Sequence, residues 1–134
     1  MTMRVLIAED DHAGRLLLQK FLSKYGECEA SVDGLETLDS FLLALREGRP
    51  YDLLCLDIMM PRLDGLKVLK AVRDIEKQKG IGDSNRVKII MTTAINDRKT
   101  VMESYDYGCE AYVWKPIDLE KFKDVLVGLG LIGE

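Results

Sequence analysis

Short apolar runs recur along the chain, and several of them close on polar residues of a particular kind. Val5-Leu6-Ile7-Ala8 runs into Glu9-Asp10-Asp11, and Tyr51-Asp52-Leu53-Leu54-Cys55-Leu56 runs into Asp57. Val87 to Met91 closes on Thr92-Thr93-Ala94, and Ala111 to Trp114 on Lys115-Pro116. Runs this short, bounded by turn residues, predict strands, with the Asp57 run buried on both faces. A weaker strand is predicted around Cys28 to Val32.

The segments between them repeat at helical spacing. Ala13, Leu17 and Phe21, with Leu18 and Leu22, predict an amphipathic helix from His12 to Lys24, stopped by Gly26. Asp33-Gly34 opens a second helix, carrying Leu35, Leu38, Phe41, Leu42 and Leu45 until Gly48 and Pro50 end it. Arg62-Leu63-Asp64-Gly65 reads as a turn with Asp64 as N-cap of a third helix, whose stripe is Leu66, Leu69, Val72 and Ile75. A fourth helix is predicted from about Asp97 to Tyr107-Gly108. A last one starts at Asp118 with Leu119, Phe122, Val125, Leu126 and Leu129. The polar stretch from Glu76 to Arg86 reads as a helix end and surface loop. Its Gly80-Ile81-Gly82 lacks the lysine and hydroxyl residue of a phosphate loop.

Strand and helix thus alternate five times. Parallel strands need crossover helices, so the pattern predicts an α/β fold, a doubly wound parallel sheet covered on both faces. Ligands of such sheets bind outside the carboxyl ends of the strands, where the acids, the threonines and Lys115 collect.

Composition narrows the function rather than the fold. The 134 residues suit one domain, and 19 basic against 23 acidic residues give a net charge of −4. With no long basic cluster, direct nucleic-acid binding is not expected. Three cysteines without paired metal spacing, and no secretory or membrane-spanning run, predict reduced thiols and a cytoplasmic location.

Glu9, Asp10 and Asp57 converge at one sheet edge in this scheme. Like charges at close quarters are relieved by a cation, and an all-oxygen set favours Mg2+ over zinc. The competing explanation, solvated acids at helix N-termini, suits Asp10 or Asp11. It does not account for a strand-end acid joined by Thr93 and Lys115. A hydroxyl and an ammonium beside a metal–carboxylate cluster are what a transferred phosphoryl group requires.

Four motifs in this order resemble the receiver domain of bacterial two-component response regulators. They are Val5 to Asp11, Leu56 to Gly65, Met91 to Ala94 and Tyr112 to Pro116. The resemblance covers essentially the whole chain and implies a flavodoxin-like five-stranded sheet of order 2-1-3-4-5 with five helices. It implies Asp57 as phospho-acceptor, with Glu9, Asp10, Asp57 and the backbone carbonyl of Met59 around Mg2+. Glu9 stands where the family also uses aspartate. Lys115 would contact the phosphoryl oxygens, Thr93 would move toward them, Tyr112 would repack inward, and the Lys115-Pro116 peptide would be cis.

The implied partners are a sensor histidine kinase or phosphotransfer protein, and a downstream protein target or homodimer through the face of helix 4, strand 5 and helix 5. Trp114 either contacts partners on that face or packs under the fourth or fifth helix. His12 is expected to be a surface residue and Cys55 to be core. The chain is expected to be a chemotaxis-regulator-like receiver over 1–134, stand-alone rather than an excised fragment. No output domain is expected after Gly128 to Glu134, and no enzymatic activity beyond self-phosphorylation and self-dephosphorylation. Two other readings stay open: a Mg2+-dependent small-molecule phosphohydrolase, and a phosphorylation-independent interaction module.

Overall fold

The computed structural model describes residues 2–133. Five strands form one parallel sheet: β1 (Met3–Ala8), β2 (Gly26–Ser31), β3 (Leu53–Leu56), β4 (Lys88–Thr93) and β5 (Ala111–Trp114). Their spatial order is β2-β1-β3-β4-β5. Five helices connect and follow them: α1 (His12–Leu22), α2 (Gly34–Arg46), α3 (Gly65–Gln78), α4 (Arg98–Asp106) and α5 (Leu119–Gly128). Every helix is capped by an aspartate, Asp11, Asp33, Asp64, Asp97 and Asp118 in turn. Each side chain accepts a backbone N–H of the first turn that would otherwise lack a partner.

Alternation along the strands builds two apolar layers. Leu6, Leu54, Leu56, Ile89 and Met91 pack with Phe41, Val68, Leu69 and Val72 from α2 and α3. Val5, Ile7, Leu53, Cys55 and Ile90 pack with Leu18, Phe21, Leu22, Phe122 and Leu126 from α1 and α5. Burying one such leucine or phenylalanine contributes roughly 1.5–3 kcal/mol, so β1 and β3, buried on both sides, anchor the site at their ends. Helix α4 is the exception, with Ser104 as its one buried residue.

Several sequence expectations are corrected here. Ala13, Leu17 and Leu35 are exposed, because α1 and α2 press on the sheet through Leu18, Phe21 and Leu22 and through Thr37, Phe41 and Ala44. Gly26 does not stop α1, which ends at Leu22 with Ser23 as its C-cap. It opens β2 instead, where a Cβ would lie 2.2 Å from the Met3 carbonyl oxygen. Glu76 is no surface residue: it is 1% exposed, bonded to Arg73 (2.6 Å) and to the Val87 N–H (2.9 Å). The stretch after α3 is otherwise a loop with a short 3-10 turn at Asp83–Asn85.

Candidate functional site

Glu9, Asp57 and Lys115 each stand just past a strand end, held there by continued ladder bonds, while Thr93 is the last residue of β4. The Glu9 N–H donates to Ser31 O (3.0 Å), Asp57 N–H to Ala8 O (3.1 Å) and Lys115 N–H to Thr93 O (2.9 Å). The backbone fixes the carboxylates before any side-chain contact is made. Behind Asp57 the chain turns tightly into α3: Gly65 N–H donates to Ile58 O (2.8 Å), and a Cβ on Gly65 would sit 2.1 Å from the Asp57 carbonyl oxygen.

Carboxylate oxygens of Glu9, Asp10 and Asp57 can lie within 4.8 Å of one another. Glu9 and Asp57 are buried and Asp10 is exposed, so the cluster has a floor and an open mouth. Lys115 Nζ bridges the two buried acids, 2.8 Å from Asp57 Oδ2 and in contact with Glu9 Oε1. The second oxygen of each acid accepts a backbone N–H, Glu9 Oε2 from Asp11 (3.1 Å) and Asp57 Oδ1 from Met59 (3.2 Å). Burial pushes the Glu9 carboxyl above its ordinary range despite the hydrogen bond from Lys115. Burial alone would lower Lys115, but its hydrogen bonds to Asp57 and Glu9 outweigh that and raise it.

Thr93 and Tyr112 converge on one residue, Ile95, through the two peptide groups that flank it. Thr93 Oγ1 accepts the Ile95 N–H (3.4 Å), and Tyr112 OH donates to the Ile95 carbonyl (2.5 Å). Burial, with Asp97 the foremost of several nearby anions, pushes the Tyr112 phenol up to about 12, so it stays a donor at neutral pH. Trp114 is 51% exposed and meets Tyr112 edge-on, 5.9 Å between ring centroids, which decides for the exposed placement. His12 is exposed, Cys55 is core, and the Lys115-Pro116 peptide is cis. The side chains of Met59 and Ile95 flank an open apolar cavity of about 480 Å3 together with Ile58, Met60 and Leu66.

Arg15 escaped the sequence reading. Its Nη1 donates to the carbonyls of Glu9 (3.0 Å) and Asp10 (3.4 Å), clamping the acidic turn from the first turn of α1. Nothing in the residue pattern distinguishes it from a solvated arginine.

A doubly wound parallel sheet of this order, with a carboxylate cluster and a strand-end lysine at its carboxyl edge, defines the class of flavodoxin-like α/β domains with an acidic pocket. Within that class the chain matches the family of the response regulator receiver domain over residues 5–127, and it belongs to that family. The response regulator MprA of Mycobacterium tuberculosis is 38% identical over 122 residues, which cover 90% of this chain and 47% of MprA. The chain thus spans about half the length of that relative. The hybrid signal transduction histidine kinase L of Dictyostelium discoideum is 30% identical over 131 residues, 97% of this chain and 7% of the kinase. The CheY-like receiver domain protein of Methanospirillum hungatei JF-1 shares the fold, with a TM-score of 0.79 at 22% identity over 98% of this chain and 94% of that one. A chain of the CheX–CheY–BeF3–Mg complex of Borrelia burgdorferi aligns with a TM-score of 0.80 at 23% identity, covering 96% of this chain and 89% of that one. Among the described residues no helix is long and apolar enough to cross a membrane.

Proposed function

We propose that residues 1–134 form one receiver domain that accepts a phosphoryl group on Asp57 and uses it to switch a protein-binding face. The observation that carries this reading is the Glu9, Asp10 and Asp57 cluster bridged by Lys115. The donor set fits Mg2+: hard oxygens only, two of them buried, with an open side for water and phosphate ligands. Glu9, Asp10, Asp57 and the Met59 carbonyl would hold the ion, which supplies charge neutralisation for the incoming phosphoryl group.

The chain's own residues do the rest. An Asp57 carboxylate oxygen attacks the phosphorus of a phosphohistidine on a sensor kinase or phosphotransfer protein. The new O–P bond forms as the P–N bond breaks, and the imidazole leaves with the bonding pair. Lys115 exchanges its carboxylate contacts for phosphoryl oxygens. Thr93 turns its hydroxyl toward the same oxygens and so gives up the Ile95 N–H, while Tyr112 holds the carbonyl of the same residue. Helix α4, with little apolar burial, is the element that can follow such a shift, since weakly packed segments open at low cost. The two forms then differ by only a few kcal/mol, on the order of what a population shift requires. Exposed Met102, Tyr105 and Trp114 on α4 and β5 offer a surface for a protein target or a second copy. No direct nucleic-acid or membrane contact enters this reading, and the setting is the cytoplasm.

Intact mass after incubation with Mg2+ and acetyl phosphate tests the reading. One phosphoryl adduct is expected in the parent and none in Asp57→Asn. A folded parent that binds Mg2+ but takes no adduct from any donor overturns it in favour of a phosphorylation-independent interaction module. Small-molecule phosphohydrolysis needs a general acid close behind the nucleophile, and two residues after Asp57 stands a thioether.

The same thioether bears on lifetime. Met59 and Ile95 carry no group that can orient an attacking water, so hydrolysis of the Asp57 adduct is expected to be slow. Met59→Asn should shorten its half-life roughly tenfold, below the full effect of general acid–base catalysis, because a carboxamide orients water without taking its proton. A decay in the parent as fast as in Met59→Asn, followed by mass spectrometry, rules this out.

A further inference from the structure

Lys115 rises from the end of β5, yet its ammonium lies 2.8 Å from Asp57 at the end of β3. Strand β4 lies between those two strands, so the lysine stem must cross it. The pairing register identifies the β4 residue beneath. Cys55 of β3 pairs with Ile90 of β4, and both are buried in the layer shared with α1 and α5. Two residues on, Asp57 and Thr92 return to that side, because strand side chains alternate. On the other flank Thr92 pairs with Val113, which packs against the same layer, and Lys115 is again two residues beyond. Thr92 therefore occupies the position between Asp57 and Lys115 on the face they share.

Thr92 is fully buried, and its Oγ1 finds no hydrogen-bond partner among the described residues. A valine would fill the same volume without an unpaired hydroxyl, and a buried polar group left unpaired calls for an explanation. The lysine whose stem crosses β4 on this face has a donor group that supplies one. It carries three N–H donors, and Glu9 and Asp57 occupy two acceptor positions around it.

We propose that Thr92 is a positioning residue for Lys115. Its hydroxyl accepts a lysine N–H, directly or through one water, when the phosphoryl group enters and Lys115 releases Glu9. The remaining donors are thereby aimed at the phosphoryl oxygens. No bond is made to substrate by Thr92 itself. The inference rests on the phospho-acceptor reading above and adds to it a residue that acts on the lysine from within the sheet.

The test uses Thr92→Val and Thr92→Ser, with Mg2+ and beryllium trifluoride as the phosphoryl mimic. Calorimetry is expected to show binding weakened about fivefold in Thr92→Val, the worth of one hydrogen bond, and near the parent value in Thr92→Ser. Thr92→Val should melt at or above the parent temperature without the mimic. In the bound state, the Lys115 ammonium signal in nitrogen-15 NMR should exchange its protons faster in Thr92→Val than in the parent. Unchanged affinity with unchanged ammonium exchange overturns the proposal. So does a Thr92→Val protein that melts lower without the mimic, since the hydroxyl would then have a partner in the resting state. A parent that binds no mimic removes the phospho-acceptor reading itself, an outcome recognisable before any variant is compared.

Discussion

Arg73→Ala is expected to destabilise the fold by about 3–5 kcal/mol, a range typical of breaking a buried ion pair by removing one partner. Arg73 spends every part of its guanidinium. Nε donates to Gly108 O (3.0 Å), Nη1 to Glu76 Oε1 (2.6 Å) and Val87 O (2.9 Å), and Nη2 to both oxygens of Glu110 (2.9 and 3.2 Å). The two carboxylates in turn accept the backbone N–H groups of Val87 and Ile89 at the start of β4. The side chain of Glu76 is 2% exposed, so losing the arginine leaves a charge with almost no access to water. Truncation would also undo the tie between the end of α3 and the entries to β4 and β5. Urea melts should show a lower midpoint with the slope unchanged. Arg73→Ala combined with Glu76→Ala should cost less than the sum of the two, because each already breaks the same pair. A loss below about 1 kcal/mol, the worth of an exposed ion pair, would show the network to be solvated.

That network is also where reading the sequence stopped short. The site was legible because its logic is one-dimensional: an apolar strand ends, and the next residue is presented at the sheet edge. Asp57, Glu9 and Lys115 follow from that rule and stand just past strand ends, and Asp64 caps α3 as its place before the apolar stripe predicts. The order of the strands is not contained in that rule and came from the family resemblance of the four motifs. Glu76 was misread because burial of an acid depends on what faces it across the fold. The local signal was present, since Arg73 stands three residues earlier on the same helical face, but surface pairs share that spacing. Leu17 and Leu35 were misassigned for another reason. A helix lying on a sheet buries a narrow stripe, and its azimuth is set by neighbouring helices rather than by its own residues. Gly26 is required by the close passage of Met3, a contact between strands more than twenty positions apart that no local pattern announces.

A Lys115→Met variant should move two measurements in opposite directions. Mg2+ affinity is expected to rise about tenfold or more, and phosphorylation by acetyl phosphate to slow about a hundredfold. The first follows because the ammonium already balances Glu9 and Asp57 from the position of a bound cation's neighbour, so a divalent ion enters a partly neutralised site. Methionine keeps the stem and removes the charge, leaving two buried carboxylates whose mutual repulsion only the ion can relieve. The second follows because the same ammonium is the donor that meets the growing negative charge of the transferred group. Acidification adds a check of sign. Burial holds the Glu9 carboxyl above its ordinary range, so protons should displace Mg2+ from the parent at a higher pH than from an ordinary glutamate. Lys115 opposes that rise, and in Lys115→Met the onset should move higher still. Calorimetric Mg2+ titrations at several pH values, beside intact-mass kinetics, separate the two roles. Damage to the fold would weaken both binding and rate. Opposite changes arise only if one lysine substitutes for the metal at rest and assists the phosphoryl group in transfer.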